Sequence, residues 1–229
     1  MKLGVIVLLV TVGCCPVVHG EGRLALVVGN SAYDRAPALK DPLNDAQDIA
    51  ERLRLLGFQL VGNKAQLNVR RDQFARLIRE LGRSARSGDT LLFYFAGHGV
   101  AYGSDNWLLP VDDRDIQTQE DVPDFAVSTR SVVERMEERG AGTNLLVLDA
   151  CRDNPLPART RSATRGLTRI NVPSGTFVLY AASQGQTAID GDGRNGLFTS
   201  ILLERIAHSR WARHAGPTAR CIIDGLRRP

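Results

Sequence analysis

The sequence has few cysteines and no long apolar run. It contains 4 cysteines in 229 residues, and only Cys151 and Cys221 lie beyond the first twenty positions. So few thiols exclude a small secreted domain whose fold depends on disulfides. The apolar stretch from Leu3 to Val12 is too short to span a bilayer, which argues against a permanent transmembrane helix. Stability must therefore come from a hydrophobic core, and the chain is long enough for one α/β domain.

Charge of one sign is not in large excess either. The formal net charge is +4, and the basic residues are mixed with carboxylates along the chain. This pattern argues against a nucleic-acid partner. Arginine is denser over residues 152–169 and 210–228, and we interpret these segments as a solvated loop and a solvated tail.

The first twenty residues differ in composition from the rest. Lys2 precedes the apolar stretch, and small residues follow it up to Gly20. This order is typical of a signal peptide over residues 1–20, and it predicts an exported protein, periplasmic or secreted. A lipid anchor on Cys14 is the less favoured alternative, because Thr11 stands where lipoprotein signals usually carry an aliphatic residue. The remaining chain is expected to form one domain over residues 21–208 and a basic C-terminal tail over residues 209–229.

Short β-branched apolar runs alternate with helical patterns from Arg23 onward, which predicts an α/β fold with a mostly parallel sheet flanked by helices. The predicted strands are Leu24–Val28, Phe58–Val61, 90–96, 144–148 and 176–181, with a hairpin over 100–110. The predicted helices begin at Asn44, Asn68, Ser128 and Leu197, and Gly57 is expected to stop the first of them. In the last helix we expect four apolar side chains to point inward: Phe198, Ile201, Leu202 and Ile206.

Two central strands are each followed by a reactive side chain. His98 comes directly after Ala96-Gly97, and Cys151 follows the strand that ends in Leu148. Since ligands bind at the carboxyl ends of parallel strands, neighbouring strands would bring the imidazole and the thiol to the same edge of the sheet. A thiol with an imidazole beside it is a nucleophile with its base. His98 also lies 53 residues upstream of Cys151, close to the spacing seen in caspases.

The residues around both positions resemble a known family. Tyr94-Phe-Ala-Gly-His-Gly99 is similar to the histidine motif of caspases and metacaspases, and Asp149-Ala-Cys-Arg152 to their cysteine motif. With further likenesses at the first strand, the first helix and the loop after Tyr180, the resemblance to bacterial metacaspase-related domains covers about residues 23–207. It implies a caspase-like three-layer sandwich and a cysteine endopeptidase that forms an acyl-enzyme.

The resemblance also implies individual roles. His98 and Cys151 would be catalytic, and the backbone N–H groups of Gly99 and Cys151 would bind the oxyanion, with the missing side chain of Gly99 allowing close approach. Asp149 stands where caspases carry glutamine, and with Asp45 it would line an acidic pocket that selects a substrate with Arg or Lys before the scissile bond. The substrate would be a peptide or protein.

The sequence leaves open one alternative function and two further properties of the proposed enzyme. The chain could be a catalytically inactive caspase-like module that binds peptides or partners. No cofactor is expected, although calcium activation is possible through an acidic group comprising Asp112, Asp113, Asp115, Glu120 and Asp121. The arginines of the 156–170 loop would offer sites of self-processing: Arg159, Arg161, Arg165 and Arg169.

Overall fold

A computed structural model describes residues 22–151, 156, 167–181 and 193–208. The strands are β1 (Arg23–Gly29), β2 (Gln59–Leu60), β3 (Gln66–Leu67), β4 (Thr90–Tyr102), β5 (Asp105–Leu108), β6 (Val127–Ser128), β7 (Thr143–Cys151) and β8 (Thr176–Tyr180). The helices are α1 (Pro42–Leu55), α2 (Arg71–Ser84), α3 (Val122–Phe125), α4 (Thr129–Glu137) and α5 (Leu197–His208). The predicted signal peptide and tail lie outside the described residues, as does most of the arginine-rich loop.

The main sheet is parallel. Its centre runs β1, β4, β7, β8, and the two short strands β2 and β3 both pair with the outer side of β1. The far end of β4 continues into an antiparallel extension made with β5 and β6. The predicted α/β class with a mostly parallel sheet is confirmed.

Helices cover both faces of this sheet. Alternate side chains of β1, β4 and β7 pack with α1 and α5 on one face, and the intervening side chains pack with α2 and α4 on the other. Central strands that are buried on both faces read as continuous apolar runs, which explains the composition of residues 90–96 and 144–148. The result is the three-layer sandwich that the resemblance implied.

Most element boundaries match the sequence patterns, but several predictions need correction. Helix α1 begins at Pro42, earlier than Asn44, because proline suits the first turn of a helix where no N–H partner is needed. Asn68 does not start α2. It has a positive φ of 50°, and its side chain accepts the N–H groups of Ser31 and Ala32, which anchors the loop after β1.

Helix α4 follows Ser128 as predicted, and the Ser128 side chain accepts the Ser131 N–H. Ile201 in α5 does not point inward as predicted, because 46% of its surface is exposed, whereas Leu202 is buried. In the part of the chain that the structure describes, no helix is both long enough and apolar enough to cross a membrane.

Candidate active site

His98 and Cys151 lie side by side on the two central strands. Strands β4 and β7 pair in parallel from Thr90 with Thr143 onward, and the last pair in this register is His98 with Cys151. The structure differs from the prediction in one respect, because β4 does not stop before His98 but runs on to Tyr102. His98 therefore lies where β4 leaves β1 and begins to pair with β5, so its backbone is held on both sides.

The ring of His98 is oriented by two groups from the loop after β1. Its Nε2 lies 2.8 Å from the carbonyl oxygen of Pro37. Since a carbonyl can only accept, Nε2 carries the proton, and Nδ1 is then the basic nitrogen of the neutral ring. The Tyr33 hydroxyl accepts the His98 backbone N–H at 2.8 Å, and the two rings pack with centroids 4.7 Å apart.

Both glycines beside His98 are closely surrounded by other atoms. A Cβ on Gly97 would lie 2.5 Å from the Tyr33 hydroxyl oxygen, so a side chain there would displace the group that holds His98. A Cβ on Gly99 would lie 3.0 Å from Leu167 and 3.1 Å from Ala150. The space over Gly99 is therefore filled by packing, which differs from the expected open approach, and the oxyanion role of its N–H stays a prediction.

Asp149 lies two residues before Cys151 and is held by two hydroxyl groups. Thr199 of α5 donates to Asp149 Oδ2 at 2.6 Å, and Tyr94 of β4 lies 2.6 Å from the Thr199 oxygen and 3.4 Å from the same carboxylate oxygen. Thr199 gives its one proton to the carboxylate, so the Tyr94 hydroxyl donates toward both the Thr199 oxygen at 2.6 Å and the Asp149 oxygen at 3.4 Å. Tyr94 and Thr199 are fully buried, whereas Asp149 is half-buried.

Asp45 lies in the first turn of α1 and faces the same place. Its Oδ1 accepts the Gly196 backbone N–H at 3.0 Å. A Cβ on Gly196 would lie 3.2 Å from Asp45 Oδ2 and 4.0 Å from Asp149 Oδ2. The two predicted pocket carboxylates are therefore brought together next to Gly196, just before α5 begins.

Burial and electrostatic repulsion disfavour ionisation of Asp45 and Asp149. Desolvation, followed by the negative charge of Asp149, raises the pKa of Asp45 to about 7. Desolvation also raises the pKa of Asp149, although the hydrogen bonds from Thr199 and Tyr94 act in the opposite direction. Two carboxylates that repel each other in a half-buried place favour a cationic ligand, because its charge removes the repulsion.

Three of the five carboxylates considered for calcium accept hydrogen bonds from the protein. Asp113 is buried and accepts the backbone N–H groups of Arg35 and Ala36. Asp121 accepts two N–H groups in its own turn, and Asp112 accepts the Arg71 N–H. Across the described ranges, no three His, Cys, Asp or Glu side chains are grouped to hold a metal ion. Calcium activation stays a prediction without a site of this kind.

Sequence reasoning found His98, Cys151, Asp45 and Asp149. Strand register brings His98 and Cys151 together, and the side chains of Asp45 and Asp149 approach each other beside Gly196. Sequence reasoning missed the groups that hold them: Tyr33, Pro37, Tyr94, Gly196 and Thr199. Only Tyr94 lay inside a recognised motif. The others come from loops and from a helix distant in sequence, where single residues leave no pattern.

Comparison with known proteins agrees with this architecture. Residues 22–220 match the family model described as Caspase domain. The chain is 27% identical over 198 residues to mucosa-associated lymphoid tissue lymphoma translocation protein 1 of Homo sapiens and to its Mus musculus homolog, covering 83% of this chain and 22% of each relative. It is 26% identical over 210 residues to a "Probable protease" of a Desulfuromonadales bacterium, covering 78% of this chain and 25% of that protein.

The fold is also that of a solved structure. Caspase-1 from Spodoptera frugiperda superposes with a TM-score of 0.59 at 14% identity, covering 84% of this chain and 72% of that one. The chain spans about a quarter of the length of the curated relatives it matches. Because the family model matches most of its length, the chain belongs to the caspase domain family.

Proposed function

We propose that this chain is a cysteine endopeptidase that cleaves after Arg or Lys. The observation that carries the proposal is the register of His98 with Cys151 at the carboxyl end of the parallel sheet, on strands that also hold the Asp149 site. Membership of the caspase domain family supports hydrolysis of peptide bonds. The pairing of a thiol residue with an imidazole residue at one edge of the sheet supports a nucleophile with its base.

The reaction would begin with transfer of the Cys151 thiol proton to His98 Nδ1. The thiolate sulfur attacks the carbonyl carbon, and the electron pair of the carbonyl moves to oxygen, which backbone N–H groups such as those of Gly99 and Cys151 would stabilise. His98 then gives its proton to the leaving amine as the C–N bond breaks. Water then attacks the acyl carbon while His98 takes one of its protons, the C–S bond of the thioester breaks, and His98 returns that proton to the Cys151 sulfur.

Basic specificity rests on the pair of carboxylates beside Gly196. A guanidinium or ammonium entering there would meet Asp149, which accepts a hydrogen bond from Thr199, and Asp45, which accepts one from the Gly196 N–H. An acidic substrate side chain would add a third carboxylate to a site where the charge of Asp149 already disfavours ionisation of Asp45. The pocket therefore favours Arg or Lys and disfavours Asp.

Self-processing would occur in the loop over residues 156–170. Arg159, Arg161 and Arg165 lie outside the described residues, and Arg169 is exposed. The neighbouring Thr168 has both backbone groups bonded to the buried side chain of Asn106, at 2.7 Å each. A cut after Arg169 would have to break these bonds, so we favour the three earlier arginines. Asn106 would then hold the second fragment in place.

Matched fluorogenic peptides that end in Arg, Lys, Asp or Ala test this proposal directly. We expect cleavage after Arg and Lys, no cleavage after Asp, and none by Cys151→Ala, assayed with calcium and with a chelator. A gel of both proteins reports self-processing, which the Cys151→Ala variant should lack. Cleavage that survives in Cys151→Ala, or a preference for Asp, would overturn the proposal.

A second candidate is a caspase-like module that binds peptides without cutting them. The family includes the fold that such a module would use, and the pocket could hold a basic side chain without catalysis. Folded protein that binds an Arg peptide with micromolar affinity but never cleaves it would favour this candidate. Modification of Cys151 by a chloromethyl ketone carrying Arg would oppose it, because that reaction needs an activated thiol.

Export is a separate proposal that rests on the first twenty residues. We propose that residues 1–20 are a signal peptide cut after Gly20 and that the domain works in the periplasm or outside the cell. Mass spectrometry of the mature protein should give an N-terminus at Glu21. A diacylglyceryl mass on Cys14 would support the lipid-anchored alternative instead.

A further inference from the structure

A groove separate from the proposed active site lies between α2, α4 and the β5–β6 strands. Its volume is about 310 Å³. Three arginines line it, Arg71 and Arg79 from α2 and Arg135 from α4, and none of its lining residues is acidic. A concave site with cations on two walls attracts an anionic ligand.

Two of these arginines are held at the groove. The Arg71 guanidinium lies 5.6 Å from the ring centroid of Phe125, within the range of a cation–π contact. Arg135 pairs with Glu138 one turn on, but both side chains are nearly half exposed, so this ion pair contributes little and can be exchanged for another anion. In the part of the chain that the structure describes, the Arg71 and Arg79 guanidinium groups form no ion pair, although the Asp112 carboxylate accepts the Arg71 backbone N–H nearby.

Half of the residues that line the groove are apolar. They are Ala75 and Ile78 of α2, Trp107 of β5, Ala126, and Val127 of β6. Ser128 and Ser131 also line the groove, but their hydroxyl protons are donated within the protein, to the Asp105 carboxylate and to the Ser128 carbonyl oxygen. A lining that combines apolar side chains with arginines suits a peptide that alternates apolar and acidic side chains better than a polyphosphate chain, which has no apolar part to bury.

The groove adjoins the catalytic strand. Trp107 pairs with Val100 in the β4–β5 ladder, and Val100 is two residues beyond His98. Standard strand spacing puts the Cα atoms of Trp107 and His98 about 8 Å apart. The groove lies on the α2/α4 face of the sheet and the Asp45–Asp149 pocket on the α1/α5 face, so one protein ligand would reach both by passing over the edge of the sheet at His98.

We propose that this groove docks an acidic peptide segment of the protein substrate, at a distance from the bond that is cut. The word substrate rests on the proposed function, whereas binding of the acidic segment does not. Each arginine contact with a carboxylate here is partly exposed, so loss of two contacts should weaken binding about tenfold, and raised salt should weaken it further.

Fluorescence anisotropy with a labelled eight-residue peptide of alternating Glu and Leu tests the binding step on full-length Cys151→Ala protein. We expect the double variant Arg71→Gln/Arg79→Gln to bind about tenfold more weakly. The matched control Arg76→Gln/Arg83→Gln also loses two charges from α2 but lies outside the groove, and it should change affinity less than about twofold.

Three results would overturn the proposal. The first is equal binding of a peptide with Gln in place of Glu, and the second is an equal loss of affinity in both double variants. The third is tighter binding of a single-stranded oligonucleotide that competes with the peptide, which would make the groove a nucleic-acid site. Because the protein in this assay has no Cys151 thiol, none of these outcomes depends on whether the chain is a peptidase.

A second arm links the groove to cleavage. In protein with Cys151 intact, Arg71→Gln/Arg79→Gln should leave kcat/KM for short Arg peptides unchanged and lower kcat/KM severalfold for a substrate that carries the acidic segment. Equal kcat/KM values for the two substrates in the unaltered protein would limit the groove to binding alone and contradict its role in substrate docking.

Discussion

Replacing Thr199 by valine isolates the hydrogen bonds that hold Asp149. Valine has nearly the same shape, so the change removes the hydroxyl from a fully buried position without leaving a cavity. The lost bond joins a hydroxyl to a carboxylate at 2.6 Å, and bonds to charged groups contribute about 1.5–3 kcal/mol. Tyr94 can still donate to Asp149 across 3.4 Å, which recovers part of this. We expect a net loss of about 2 kcal/mol in unfolding free energy.

Urea unfolding measures this loss, and Thr199→Ser is the matched control. A loss of about 2 kcal/mol would lower the urea midpoint by about 0.8 M for a domain of this size. Serine keeps the hydroxyl and removes one methyl group, so its effect should stay below about 1 kcal/mol. With Asp149 less firmly placed, kcat/KM for an Arg peptide should fall about tenfold in Thr199→Val, mainly through KM.

The reasoning fails if valine and serine are equally harmful, because the methyl group and not the hydroxyl would then matter. It fails equally if Thr199→Val unfolds at the same urea concentration as the unaltered protein.

Three further predictions follow from the same contacts. The pKa of Asp45 is raised from 3.8 to about 7. Between these two pH values the folded state keeps the Asp45 proton, whereas the unfolded chain has lost it. Unfolding free energy should therefore fall by at most about 4 kcal/mol as pH rises from about 4 to about 7, and urea titrations of Asp45→Asn should show a smaller fall. Tyr33→Phe leaves the His98 N–H without its acceptor and should lower unfolding free energy by about 1–3 kcal/mol and reduce kcat, and an unchanged kcat would contradict the orienting role. Gly196→Ala puts a methyl group 3.2 Å from Asp45 Oδ2 and should raise KM for Arg peptides, whereas an unchanged KM would remove Gly196 from the pocket.

The sequence predicts the central sheet well because buried parallel strands are continuous apolar runs that few other structures share. The same reasoning predicts that His98 and Cys151 meet, since strand order and strand ends suffice for that. It places Ile201 wrongly, because a helix that covers only part of a sheet buries a narrower stripe than its apolar residues suggest. Pro37 and Thr199 could not be found in this way, because their roles depend on a loop carbonyl and a hydroxyl whose positions only tertiary packing determines.

The most direct measurement compares kcat/KM for two peptides that differ only in the residue before the scissile bond, arginine or its uncharged isostere citrulline. The unaltered protein should favour arginine by about 100-fold, as expected for a partly desolvated charge pair. Asp149→Asn should lose most of that preference, and Cys151→Ala should cut neither peptide. Equal cleavage of the two peptides by the unaltered protein, or cleavage that persists without the Cys151 thiol, would contradict a cysteine peptidase with an acidic specificity pocket.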